Sequence, residues 1–291
     1  RRRRHPSLLA LLPRVVAMSV SDNITSHLFT TSPFRVMDKL PNPIGLLCGL
    51  AAVALGQILV VAYFHVYRNV YGNARLVQND DLHVNPKTRY AFAKEAIAHF
   101  AQLEGFVLLG SYLSVTWLAN WMPASYYRWE GGVQWHLVVL QLLLQDMLQY
   151  FAHYAEHKVS ATFYRYSHKP HHRFTNPKLF DAFNGSLLDT LCMILIPLYT
   201  TANLVHCNVW SYMAFGTIYS SMLTLIHSEY VHPWDDLFRL LGVGTAADHH
   251  VHHKQFVYNY GHIFTYWDRI FGTYRCPDDV RTFTKSTKKV Q

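Results

Sequence analysis

The stretch IGLLCGLAAVALGQILVVAYFHVY, residues 44–67, runs for 24 positions without one formally charged side chain. As an α-helix it reaches about 36 Å, enough to cross the hydrocarbon core of a bilayer. Charged residues make up only 15% of the chain and hydrophobic residues 51%, against roughly 25% charged in an ordinary soluble domain. That deficit argues for a membrane protein. Further apolar runs lie at 96–122, in the first half of 131–157, at 187–205 and at 209–226, with Pro197 placed to kink the run at 187–205. The expected fold is all-α: an integral membrane helical bundle of about four to five spans or re-entrant hairpins. If 187–226 crosses twice, residues 153–172 and 227–262 emerge on one side.

Histidine is concentrated in that remainder. AHYAEHKVSATFYRYSHKPHHRF, residues 152–174, holds five histidines, and DHHVHHKQFVYNYGH follows at 248–262. Asp146, Tyr150, His153 and His157 are spaced 4, 3 and 4, so they share one helix face. Two imidazoles four apart on a helix can converge on one metal. His168, His171 and His172 form H-x-x-H-H, and His249, His252 and His253 repeat it. Adjacent histidines on a helix point about 100° apart, so each H-H pair can serve two different ions. These eight donors exceed the needs of one tetrahedral zinc; they suit two ions with open positions, and iron fits. His227 directly follows an apolar helix and joins the expected ligands, with His232 and Asp248 as further candidates. Asp146 and Glu229 are the expected partners for the ligands' remaining N–H groups. The isolated His65, His99, His136, His206 and His262 are read as outside the ligand set.

The other features bound the function less tightly. The formal charge is +8, but no basic stripe is interleaved with polar surface as nucleic-acid binding requires. Cys48, Cys192, Cys207 and Cys276 are scattered and form neither a disulfide framework nor a metal motif. Residues 1–35 read as an unstructured leader or an upstream extension, Met18 following an Arg-rich start. Residues 36–139 read as N-terminal membrane helices and 277–291 as a basic tail ending KSTKKVQ. The chief rival to a metal-dependent enzyme is a membrane metal transporter, which needs ligands inside its spans.

AHYAEH, HKPHH, IHSEYVHPW and DHHVHHKQFVYNYGHIFTYWDRIFGTYR, over about residues 140–276, resemble the histidine boxes of the fatty acid hydroxylase / sterol desaturase superfamily. The tail YNYGHIFTYWDRIFGTYR is most similar to sterol C-5 desaturases. The resemblance implies a di-iron domain over 140–276 in a histidine-rich cytosolic cap. It implies a membrane-bound oxidoreductase of the endoplasmic reticulum that hydroxylates or desaturates a lipid, using O2 and electrons from a cytochrome b5-type donor. A sterol is the expected substrate, with ether lipids and sphingolipids or fatty acids as alternatives. The dilysine Lys288-Lys289 resembles a retrieval signal read in the cytosol. Three departures stand out. Tyr154 replaces the usual arginine of the first box. Residues 179–191 offer Asp181, Ser186 and Asp189 where many sterol-acting members have a further histidine. Asp248 stands where the family often has one more.

Overall fold

The computed structural model describes residues 40–72, 74–78 and 92–283. The leader at 1–35 and the tail with Lys285, Lys288 and Lys289 lie outside the described residues. Helix α1, Asn42–Tyr71, enters with a proline at its start, where a missing N–H costs nothing. Its two faces differ sharply. Gly45, Gly49, Ala52 and Gly56 are buried, whereas Leu47, Leu55, Ile58, Leu59, Val66 and Val70 are exposed. In water such an exposed apolar stripe would be an aggregation liability; against lipid tails it is the solvated face, and the small residues are the packing face.

The small face receives α8, Val209–Leu225, whose N-terminus is capped by Asn208 accepting from the Ser211 N–H. Thr217 Oγ1 donates to the Ala52 carbonyl, Ser221 Oγ to the Gly56 carbonyl, and Gln57 Nε2 to Thr224 Oγ1. The pairing advances in the same direction on both helices, so α1 and α8 run parallel. A Cβ on Gly56 would lie 2.5 Å from the Thr217 carbonyl oxygen, so a larger residue there forces the backbones apart.

Two stretches return the opposite way. α2, Phe92–Ala101, passes through a π-type turn kinked at Gly105 into α3, Leu108–Leu118, which ends where α1 begins: Trp117 packs over Gly45. α6, Leu187–Thr190, continues through a π turn at Leu191–Leu195 into α7, Ile196–Leu204. The predicted disturbance at Pro197 is thus taken up by a widened turn, which relieves the clash of the proline ring with the preceding turn. α4, Trp135–Lys158, packs against α7 and α8 and runs parallel to α8. Its buried face is polar: Gln141 donates to Tyr126, Gln145 donates to Tyr219, and Gln145 accepts from Thr201.

Among the described residues, three helical stretches are long and apolar enough to cross a membrane, Asn42–Tyr71, Phe92–Leu118 and Leu187–Leu204. Of the other two elements behind the four-to-five expectation, α8 has 17 residues, and α4 carries the polar face just described. The short helices α5, Ala161–Tyr166, α9, Asp235–Leu240, α10, Ala246–Gln255, and α11, Tyr266–Ile270, gather at the end of the bundle where α4 and α8 finish. Both histidine-rich segments meet there, as the parity argument requires. All four cysteines are free thiols.

Candidate metal centre

α4 delivers His153 and His157 in its last two turns. A loop and α5 bring the chain back with His168, His171 and His172, α8 ends two residues before His227, and α10 supplies His249, His252 and His253. α10 is fixed by a capping box, in which Thr245 and Asp248 satisfy each other's backbone N–H, and by a left-handed Phe256 at its C-terminus. The nine histidines form two groups. His153, His157, His168, His172 and His252 place one ring nitrogen each within 4.8 Å of one another, and so do His171, His227, His249 and His253. Each H-H pair is divided, His171 from His172 and His252 from His253, as their angular separation on a turn dictates.

The tautomers can be read from the partners. A backbone carbonyl only accepts, so a ring nitrogen bonded to one must carry the proton. His153 Nδ1 donates to the Tyr260 carbonyl at 2.7 Å, and His252 Nδ1 to that of Tyr258 at 2.7 Å. His227 Nδ1 donates to Leu223 at 2.9 Å, and His171 Nδ1 to Asn184 at 3.4 Å. His168 Nδ1 donates to the Asp189 carboxylate at 2.9 Å. Each Nε2 then bears a lone pair. Yet His153 Nε2 lies 2.9 Å from His168 Nε2, and His171 Nε2 lies 3.2 Å from His227 Nε2. Two lone pairs at that distance repel, and a shared cation turns both contacts favourable. Burial, reinforced by neighbouring imidazoles, pushes His172, His249, His252 and His253 well below the usual histidine range and His171 down to about 4. Burial does the same for His227, with His171 the main neighbouring contributor. Neutral imidazoles with converging lone pairs are what a transition metal of intermediate softness binds. The residues therefore fit two metal ions.

Four sequence-derived candidates lie elsewhere. His232 Nδ1 is 2.8 Å from the Tyr63 hydroxyl, and its ring stacks on Trp234, away from both groups. Asp248 is consumed by the capping box and by the Tyr274 hydroxyl at 3.2 Å. Asp146 accepts the backbone N–H groups of His262, Ile263 and Phe264 at 3.0, 2.7 and 3.1 Å, pinning that loop to α4 instead of meeting a histidine ring. Glu229 accepts from the Leu179 N–H at 3.3 Å. The carboxylates that do face a ligand are Asp189 and Glu156, the latter 3.6 Å from His168 Nδ1. Asp189 is visible in the sequence as an acidic residue where many sterol-acting relatives have a further histidine. Glu156, three residues after His153 on the same face, carries no other signal.

His262 and Gln149 also belong here. The His262 ring sits 5.1 Å from that of His153 and 5.4 Å from that of His249, between the two groups and in neither. Gln149 is fully buried, near the Tyr219 hydroxyl, and neither atom of its amide closes a hydrogen bond. Both line a cavity of about 390 Å³ shared with His168, His171, Asp189 and His227. A buried, unpaired amide is costly, so this is a place for a ligand bearing oxygen.

The fatty acid hydroxylase family profile matches residues 138–273. Over 240 residues, 81% of this chain and 68% of the relative, the sequence is 55% identical to the alternative squalene epoxidase of Phaeodactylum tricornutum (strain CCAP 1055/1). The chain belongs to the fatty acid hydroxylase / sterol desaturase superfamily. Two further relatives are less similar to it. Methylsterol monooxygenase 1 of Danio rerio is 33% identical over 155 residues, half of this chain and 51% of the relative. Delta(7)-sterol 5(6)-desaturase of Leptosphaeria maculans is 32% identical over 165 residues, 56% of this chain and 43% of the relative. The matches thus span about half the length of these two relatives. No solved structure matches significantly. As a superfamily member the chain is a membrane oxidoreductase whose relatives are lipid monooxygenases and desaturases.

Proposed function

We propose that this enzyme is a di-iron oxygenase that epoxidises squalene, drawing electrons from a cytochrome b5-type donor. The observation that carries the proposal is the 55% identity, across 81% of the chain, with a protein named for that reaction. Squalene is the hydrocarbon precursor of sterols. The expectation of a role in sterol biosynthesis is kept, and the bond attacked changes from C–H to C=C. One oxygen atom of O2 closes the epoxide. The other leaves as water with two electrons from the donor and two protons from solvent. Iron held by His153, His157, His168, His172 and His252, and by His171, His227, His249 and His253, would supply the O2 activation. The chain's own residues orient those ligands through the Tyr258, Tyr260, Leu223 and Asn184 carbonyls and Asp189, and keep bulk water from the reacting bond.

A sterol C–H bond is the second reading, favoured by the methylsterol monooxygenase and sterol desaturase relatives. Metal transport draws less support: His99 is buried beside Gln57, 3.4 Å away, and His65 and His136 are exposed, so these three form no ladder of ligands. Expression in a sterol-requiring strain that lacks squalene epoxidase tests the proposal. Growth without added sterol, with squalene falling and its epoxide rising by mass spectrometry, is the expected result. Unchanged squalene with a shifted methylsterol pool would hand the assignment to the second reading.

We further place the enzyme in the endoplasmic reticulum membrane with the histidine end and C-terminus in the cytosol. The superfamily membership and the gathering of the nine clustered histidines at one end of the bundle support this arrangement. Protease added to intact microsomes is expected to remove a tag inserted just before residue 285; a protected tag would reverse the orientation.

A further inference from the structure

Below the histidine groups lies a second cavity, between α1, α3, α7 and α8. Its wall on α8 is Tyr212, Phe215, Gly216, Tyr219, Ser220 and Leu223, a single helix face. From Tyr212 to Leu223 that face spans about 16 Å. Leu223 is also four residues before His227, and together with Phe183 and Ile194 it lines the cavity that holds Gln149 and the histidines. The two cavities thus adjoin at these three side chains, and the slot they outline has a single chemically distinct end. Because α1 runs parallel to α8, Gly49 marks the deep end and the histidines the upper one.

We propose that this slot takes an acyclic isoprenoid hydrocarbon end-on, and that Gly216 and Ala52 set how much chain it admits and so which double bond reaches the histidines. The class of ligand rests on the squalene reading above. The geometry of the slot is independent of it. Its wall is apolar apart from three hydroxyl-bearing residues, Tyr212, Tyr219 and Ser220. Tyr219 is engaged by Gln145, and Ser220 donates to the Thr217 carbonyl. No charged group lines the deep end, so an ionic lipid headgroup has no partner there, whereas a hydrocarbon leaves nothing unsatisfied. The shape also selects. A cavity that follows one helix face receives a flexible chain lengthwise, and only the chain's terminus can pass Leu223. Oxidation is then confined to the terminal double bond.

Small residues open the slot at mid-depth. A Cβ on Gly216 would meet only the Ala52 Cβ, at 3.5 Å, so a methyl fits and a longer side chain must extend into the cavity. That obstruction would lie about 10 Å below Leu223. The test uses microsomes of a strain expressing the full chain, with Gly216→Leu and, from the facing helix, Val53→Phe, each assayed on squalene and on the shorter acyclic hydrocarbon farnesene. Wild type is expected to yield only the terminal epoxide of squalene. Both variants are expected to lose about 10-fold or more of squalene turnover relative to farnesene, with the iron content of the purified chain unchanged. Squalene oxidised at the wild-type rate and bond in a variant that accumulates normally overturns the proposal. So does equal loss on both hydrocarbons with iron retained. Should one variant not accumulate, the other decides between these outcomes. If wild type does not oxidise squalene at all, the function proposal fails separately. The slot is then read from thermal stabilisation by squalene: its loss in Gly216→Leu upholds the slot, and equal stabilisation in both proteins sinks it.

Discussion

Alanine at His171 or His252 is expected to abolish lipid oxidation while the chain still inserts and accumulates. The purified wild type should hold about two transition-metal ions per chain, and each substitution should empty mainly its own group. The losses should be unequal. His171 belongs to the group of four and His252 to the group of five, so removing His171 leaves three donors and removing His252 leaves four. Metal analysis should show the larger deficit in His171→Ala. His250→Ala is the control. That histidine is equally buried and stands beside the ligands in sequence, but its ring bonds to the Ser228 carbonyl and Gln78, so the metal count should hold. Full metal and full activity in either ligand variant would end the assignment.

The second large effect is expected at Asp189. Its carboxylate is the one side-chain acceptor among the groups that fix the ligand tautomers; the others are backbone carbonyls, which substitution cannot remove. Asp189→Ala frees the His168 ring to rotate and to change tautomer. Metal affinity should fall about 10–100-fold, the usual consequence of losing a ligand's hydrogen-bond acceptor. Chelator titration of the purified protein measures this directly. Asp181→Ala, which removes only a turn contact to the Lys178 N–H, should titrate as wild type. Superimposable curves for Asp189→Ala and wild type would show that the carboxylate does not orient the ligand.

What the sequence disclosed and what it hid differ by the kind of interaction. Eight of the nine histidines could be picked out because helical spacing and H-x-x-H-H are local rules, His227 because it follows an apolar helix, and the division of the H-H pairs follows from helix geometry alone. The groups behind the histidines could not. Tyr258, Tyr260, Leu223 and Asn184 act through main-chain carbonyls, which every residue has, so no side-chain pattern marks them. Asp146 shares the helix face of His153 and His157, which made it an attractive partner, but a carboxylate seeks the nearest unsatisfied donors, and three amides of the 262–264 loop are closer. α4 escaped a simple reading as a span because its buried glutamines serve tyrosine and threonine hydroxyls across the bundle, an arrangement that lowers its apolarity without exposing it. His262 looked like one more scattered histidine because only the tertiary fold puts it between the two groups.

The division of each H-H pair has a thermodynamic consequence. His171 and His172 are joined by one peptide bond, as are His252 and His253, yet each partner serves a different group. Holding one member of a pair fixes the backbone on which the other is mounted. The entropy of ordering those two segments is therefore lost once, to whichever ion arrives first. The second ion would meet a prearranged site, so occupancy is expected to be positively cooperative, and by linkage the coupling is reciprocal. Half-filled molecules should then be scarce at equilibrium in the intact protein, and a population titrated with limiting metal should divide into empty and doubly filled chains.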